Sequence, residues 1–159
     1  QVGGQSHEVK EEELRFDDMN IDALKDQLIL HEGLKLEPYR CTADKLTIGV
    51  GRNIEDIGIT EDEARYLLDN DILRVCEELD NAIAWWRNLS EVRQRIIVDM
   101  AFNLGTPTLM KFQKTLGYIQ SEDYESAASE MLDSKWARQV GQRAERLSKA
   151  MATDVLDLS

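Results

Sequence analysis

Two cysteines, two prolines and two histidines among 159 residues leave little material for several kinds of chemistry. Cys41 and Cys76 allow a single pairing and form neither a CxxC nor a Cys/His metal spacing, so a disulfide scaffold and a zinc site are both excluded as readings. No apolar run approaches the roughly 20 residues that cross a bilayer, and no basic-then-apolar signal opens the chain. Bases are also in deficit, with 19 Lys and Arg against 31 Asp and Glu and a formal charge of −12. A chain so acidic does not bind a phosphate backbone unaided, and nucleic acid is not an expected partner. What the sequence does have is 42% hydrophobic residues, enough to bury a sizeable core as one domain or two joined lobes.

Residues 1–19 combine two glycines with a run of glutamates and read as a flexible lead-in or an artificial remnant. From Asn20, a plausible N-cap, apolar residues recur at near-helical spacing until Gly33, which predicts a helix over 21–32. Pro38, Gly49, Gly51 and Gly58 punctuate residues 34–60, which suits a small antiparallel sheet. Thr60 and Glu63 then form a capping box, opening a long helix over 61–83 with Ala64, Leu67, Leu68, Ile72, Val75 and Leu79 as its buried stripe. Beyond it, residues 84–155 read as helices: one capped by Ser90, one started by Thr106-Pro107 and running through Phe112, Leu116 and Ile119, and shorter ones over 123–132, near Trp136 and over 142–154. The expected class is α+β, a mostly helical single domain over 20–159 in which a sheet lobe and a helical lobe are joined by the long helix.

The informative stretch runs from His31-Glu32-Gly33 to Cys41 and on through Thr47-Ile48-Gly49-Val50-Gly51-Arg52. It places a carboxylate at a helix end, then a polar hairpin whose Cys41 and Thr47 can face back towards it. This arrangement resembles the phage-type lysozymes of glycoside hydrolase family 24, whose pattern is a Glu, eight residues, an Asp or Cys, five residues, and a Thr within T-I-G-x-G. Glu32, Cys41 and Thr47 fit that spacing, with Cys41 in the place of the aspartate of other members. The resemblance extends through Asp99-Met100-Ala101-Phe102-Asn103-Leu104-Gly105, the Ser134-Lys135-Trp136 segment and Gln142-Arg143-Ala144. One departure is Arg52, where the family usually has histidine.

The resemblance implies an endolysin-type muramidase that hydrolyses the β-1,4 bond between N-acetylmuramic acid and N-acetylglucosamine in bacterial peptidoglycan. It implies a monomer, made in the host cytoplasm and acting at the periplasmic cell wall after holin-type release or export. No cofactor is expected, since glycoside hydrolysis needs a proton for the leaving oxygen and a water or nucleophile on the opposite face of the sugar. Glu32 is the candidate acid, and Leu28 and Leu36 are expected to desolvate it. Cys41 can orient water, act as a thiolate or attack the sugar, with Thr47 holding a water by its hydroxyl. Asn103 matches a position whose amide contacts substrate, with a helix C-cap as its plainer reading, and Arg143 is expected to pair with Glu32. Cys76 reads as core, as does Trp136; Trp85 and Trp86 are open between core and sugar stacking. Other readings of the same fold are a non-catalytic peptidoglycan-binding or tail-associated module and an antibacterial effector domain.

Peptidoglycan is itself anionic, so the bulk charge needs a local count. Residues 35–52 hold Lys35, Arg40, Lys45 and Arg52 against Glu37 and Asp44, and residues 135–149 hold five bases against Glu145. The expectation is a locally positive cleft within an acidic chain.

Overall fold

A computed structural model describes residues 19–159. The lead-in expected over 1–19 falls, apart from Met19, outside the described residues. The chain divides into two compact units, the first ending at Asp69 and the second running from Asn70 to Ser159.

The first unit opens with helix α1 (Ile21–Glu32), whose N-terminus is satisfied by Asn20, the side chain of which accepts from the Ala23 amide at 2.9 Å. Gly33 ends it in a positive-φ conformation (φ 80°) that a side chain would resist, its N–H donating to the Ile29 carbonyl. Strands β1 (Lys35–Arg40), β2 (Leu46–Gly49) and β3 (Arg52–Asn53) form one antiparallel sheet in that order. Tyr39 pairs with Thr47 and Lys35 with Gly49, with an irregularity between them that accommodates Pro38, which has no amide to give to a ladder. Helix α2 (Glu61–Ala82) starts at the capping box in both directions: the Glu63 amide donates to Thr60 Oγ1 at 3.1 Å and the Thr60 amide to Glu63 Oε1 at 2.9 Å. Among the described residues of this unit no apolar side chain is buried. Leu67 and Leu68, expected in the buried stripe, are 52% and 42% exposed. Helical periodicity marks a face without fixing what covers it.

The second unit holds the core. The end of α2 contributes Val75, Cys76 and Leu79, and a 3-10 turn (Ala84–Asn88) tucks Trp86 against them, its Nε1 donating to Asp80 at 2.9 Å. Trp86 is therefore a core residue, with Trp85 half-buried at the core's edge. Helix α3 (Glu91–Leu104) is capped by Ser90 and buries Ile96, Ile97, Met100 and Ala101. A single helix from Thr106 through Ile119 does not form. Instead α4 (Thr106–Leu109) stops, and α5 (Gln113–Gln120) starts again after Phe112, whose ψ of 56° leaves the helical region. Nor does Thr106 cap: its hydroxyl donates to Glu78 on α2 at 2.8 Å. Helices α6 (Tyr124–Leu132), α7 (Lys135–Val140) and α8 (Gln142–Thr153) complete the bundle, and Trp136 is buried as expected. Each fully buried Leu, Ile or Met contributes about 1.5–3 kcal/mol, and α3, with Ile96, Ile97 and Met100, supplies three of them. Arg93 closes the end of α8. Its guanidinium donates to the Met151 carbonyl at 2.9 Å and lies 3.5 Å from the Tyr124 ring centroid, satisfying a carbonyl that a helix end leaves free. The architecture is α+β, a small antiparallel sheet near the N-terminus followed by helices.

Candidate active site

Glu32 is the last residue of α1, placed there by the chain reversal at Gly33. It is exposed, and so are the apolar residues expected to desolvate it: Leu28 is 42% and Leu36 84% open to solvent. The contact that does define the carboxylate's surroundings is with backbone. A methyl group built on Gly51, in the turn between β2 and β3, would stand 2.8 Å from Glu32 Oε2, 3.3 Å from Cδ and 3.5 Å from Cβ. Gly51 also has φ +66°, so this turn needs glycine for its backbone as well as for the space.

Cys41 follows β1 at the start of a tight turn. Its amide donates to the Lys45 carbonyl and its carbonyl accepts from the Asp44 amide, with Asp44 at φ 58°. Asp44 is an exposed turn residue. Thr47, facing Tyr39 across the ladder, is the one buried polar residue among the described residues of this unit, and its hydroxyl donates to the Lys45 carbonyl at 2.8 Å. Backbone hydrogen bonds from Lys45 and Ala43 hold the Cys41 thiol below its ordinary pKa; slight desolvation opposes them and the Thr47 hydroxyl adds to them. Thr47 has one hydroxyl proton and two claimants, the Lys45 carbonyl and the Cys41 sulfur. Ionising the thiol favours the sulfur, so the two side chains respond together.

Cys76 has the opposite environment, buried on α2 where desolvation pushes its thiol up. Both cysteines are free thiols. Alkylation with iodoacetamide across pH is therefore expected to modify Cys41 first, with a midpoint below that of a free thiol, and Cys76 slowly. Thr47→Val is expected to raise the Cys41 midpoint. Peptide mapping that found Cys76 the faster thiol would contradict the geometry described for Cys41.

The locally positive hairpin is not what the structure shows. Arg40 donates to Glu55 Oε1 at 3.2 Å, Lys45 lies 3.2 Å from Asp56 and 3.5 Å from Glu55, and Arg52 donates to Glu63 Oε1 at 2.6 Å. The neutralising acids lie in the sequence just beyond residue 52 and fold back onto the strands.

Asn103 and Arg143 belong to the second unit. Asn103 does not cap α3, a task done by Gly105, whose N–H donates to the Ala101 carbonyl. Its Oδ1 accepts instead from Trp136 Nε1 at 2.8 Å, leaving its amide N–H groups outward on an exposed residue. Arg143, expected to pair with Glu32, is held by Asp99, with Nε donating to Oδ1 at 2.8 Å and Nη2 lying 2.6 Å from the same oxygen. Asp99 and Asn103 are four residues apart and so share one face of α3. The sequence does not mark Asp99 as the partner of Arg143, because the two are 44 positions apart.

Residues 30–152 match the phage lysozyme family. The chain belongs to that family. Its members are lysozyme-type peptidoglycan hydrolases, and peptidoglycan is the substrate that membership implies. This chain is 26% identical to "Probable T4-type lysozyme 1" of Dictyostelium discoideum over 86% of its own length and 98% of that protein's. It is 31% identical to an endolysin of Acyrthosiphon pisum secondary endosymbiont phage 1, over 68% of this chain and 73% of the endolysin. It is also 25% identical to the pre-baseplate central spike protein of Enterobacteria phage T4, where 91% of this chain matches 30% of the spike protein. No helix among the described residues is long and apolar enough to cross a membrane.

Proposed function

We propose that this phage lysozyme is a muramidase that cleaves the β-1,4 bond between N-acetylmuramic acid and N-acetylglucosamine, with Glu32 as the acid and Cys41 with Thr47 positioning the water. The observation that carries this reading is the small sheet itself. Its turn at Gly51 lies against the Glu32 carboxylate, while the turn between its first two strands carries Cys41, whose thiol is held below its ordinary pKa by backbone hydrogen bonds from Lys45 and Ala43. Glu32 in its protonated form gives its proton to the leaving oxygen. Cys41 and Thr47 hold a water on the opposite face of the sugar, and the thiolate accepts that water's proton as the bond to carbon forms. Neither a metal nor an organic group enters this sequence of steps. In the second unit, the outward amide of Asn103, with its oxygen held by Trp136, is suited to an N-acetyl carbonyl, and the half-exposed Arg143 to a substrate anion.

The likeness to a phage endolysin supports action on the host wall, reached from the cytoplasm by holin-type release or by export. The likeness to part of a baseplate spike protein supports a second setting, in which the same hydrolase is carried by a phage tail. Product analysis tests the chemistry in either setting. Purified sacculi digested by the protein and reduced with borohydride should yield muropeptides ending in reduced N-acetylmuramic acid. Ends at reduced N-acetylglucosamine, anhydro-muramic ends, or cleaved peptide cross-links with intact glycan would overturn the assignment.

A further inference from the structure

The Glu32 carboxylate rests on Gly51, and the next residue in the chain is Arg52. Arg52 pairs in the sheet with Ile48 and reaches out to the start of α2, where its Nη1 lies 2.6 Å from Glu63 Oε1. The same guanidinium nitrogen is 3.5 Å from the Gly58 carbonyl, so it also holds the loop that joins β3 to α2. Glu63 Oε1 is fixed in turn by the Thr60 amide, and the Glu63 amide by the Thr60 hydroxyl. A continuous set of contacts therefore runs from the first turn of α2, through Arg52, to the backbone on which Glu32 lies. No apolar side chain is fully buried among the described residues of this unit, so these polar bonds add to the partial packing of neighbours such as Ile48 in holding that turn.

We infer that Arg52 and Glu63 are positioning residues for the Glu32 carboxylate, acting through Gly51. The inference rests on the reading of Glu32 as the acid. The Arg52 bond, with the Thr60 amide adding to it, holds Glu63 down at about pKa 2, so the pair stays charged near neutral pH. Arginine suits the task because it stays charged and its Nη1 carries two protons, one for each of the two acceptors.

The test uses the full chain. Arg52→Met is expected to lower kcat on a soluble glycan oligomer by about tenfold to a hundredfold, because a displacement near 1 Å costs that much in aligned chemistry. KM should stay within about threefold, since Arg52 is not assigned to bind substrate. The Glu32 carboxyl carbon resonance should shift, Arg52→Lys should restore most of kcat, and Glu63→Gln, which keeps the Thr60 cap, should give a smaller loss in the same direction. Asn53→Ala is the control for loosening alone: it removes the Asn53 to Asp56 bonds in the same loop and should cost stability while keeping kcat. The inference is overturned by an unshifted Glu32 resonance in Arg52→Met, by a kcat within about twofold of the parent, or by an equal kcat loss in Asn53→Ala. Full activity in Glu32→Gln would instead remove the catalytic reading, and the resonance shift would still decide whether Arg52 positions Glu32.

Discussion

Replacing Glu32 by Gln is expected to abolish clearing of chloroform-treated Gram-negative cells while leaving the thermal unfolding curve nearly unchanged. The two halves of that expectation have different causes. Glu32 is exposed at the end of α1, and glutamine has the same shape, so no cavity opens and no buried charge is stranded. Surface changes of this kind stay within about 0.5 kcal/mol. Chemistry is another matter, because the amide has no proton to give to the leaving oxygen, and loss of a positioned acid costs about 10²–10⁴ in rate. Turbidity loss and circular dichroism melts on the same preparation separate the two effects. A variant that clears cells at the parent's rate would remove Glu32 from the mechanism, and one that unfolds would show that its carboxylate holds the first unit together.

The features of this fold that are legible in the sequence are those whose partners lie within one turn. Asn20 with Ala23, Ser90 with Arg93, and Thr60 with Glu63 are all contacts between residues three apart, and each marks a helix start where the structure has one. Glu32, Cys41 and Thr47 stand out in the sequence through their spacing, and the structure puts them on one helix end, one turn and one strand of the first unit. The contacts that escape are long-range. Thr106 reads as a cap because proline follows it, yet Glu78, 28 residues earlier, takes its hydroxyl. Nothing near Arg143 in the chain marks Asp99, 44 residues earlier, which takes its guanidinium in the bundle. The positive charge counted over residues 35–52 disappears because Glu55, Asp56 and Glu63 return to that surface after the count has stopped. Leu109, Phe112, Leu116 and Ile119 keep helical spacing across a break at Phe112, since two short helices can present one face to the same core.

The second glycine of the T-I-G-x-G segment is where the fold and the proposed chemistry meet most closely, and Gly51→Ala is expected to separate activity from stability. Its backbone cost is modest: an alanine held at φ +66° loses about 1–2 kcal/mol, which in a chain of this size lowers the melting temperature by only a few degrees. The steric cost falls almost wholly on Glu32, whose Oε2 would be 2.8 Å from the new methyl. That atom is the free end of a flexible, exposed side chain, so the clash is relieved cheaply by rotating the carboxylate away. Rotation is harmless to folding and damaging to proton transfer, which depends on the donor lying within hydrogen-bond reach of the leaving oxygen. Activity should therefore fall by about a hundredfold, the loss expected when a reacting group is misplaced by about an ångström. Because the relief comes from Glu32 itself, Glu32→Gln and Gly51→Ala act through one carboxylate and should not add: the double variant should be no less active than Glu32→Gln alone. Cell-clearing rates for the two single variants and the double variant, set beside their melting temperatures, measure this. Gly51→Ala with nearly full activity would mean that Glu32 works from a position clear of the turn, and a double variant far below Glu32→Gln would mean that Gly51 serves some group other than that carboxylate.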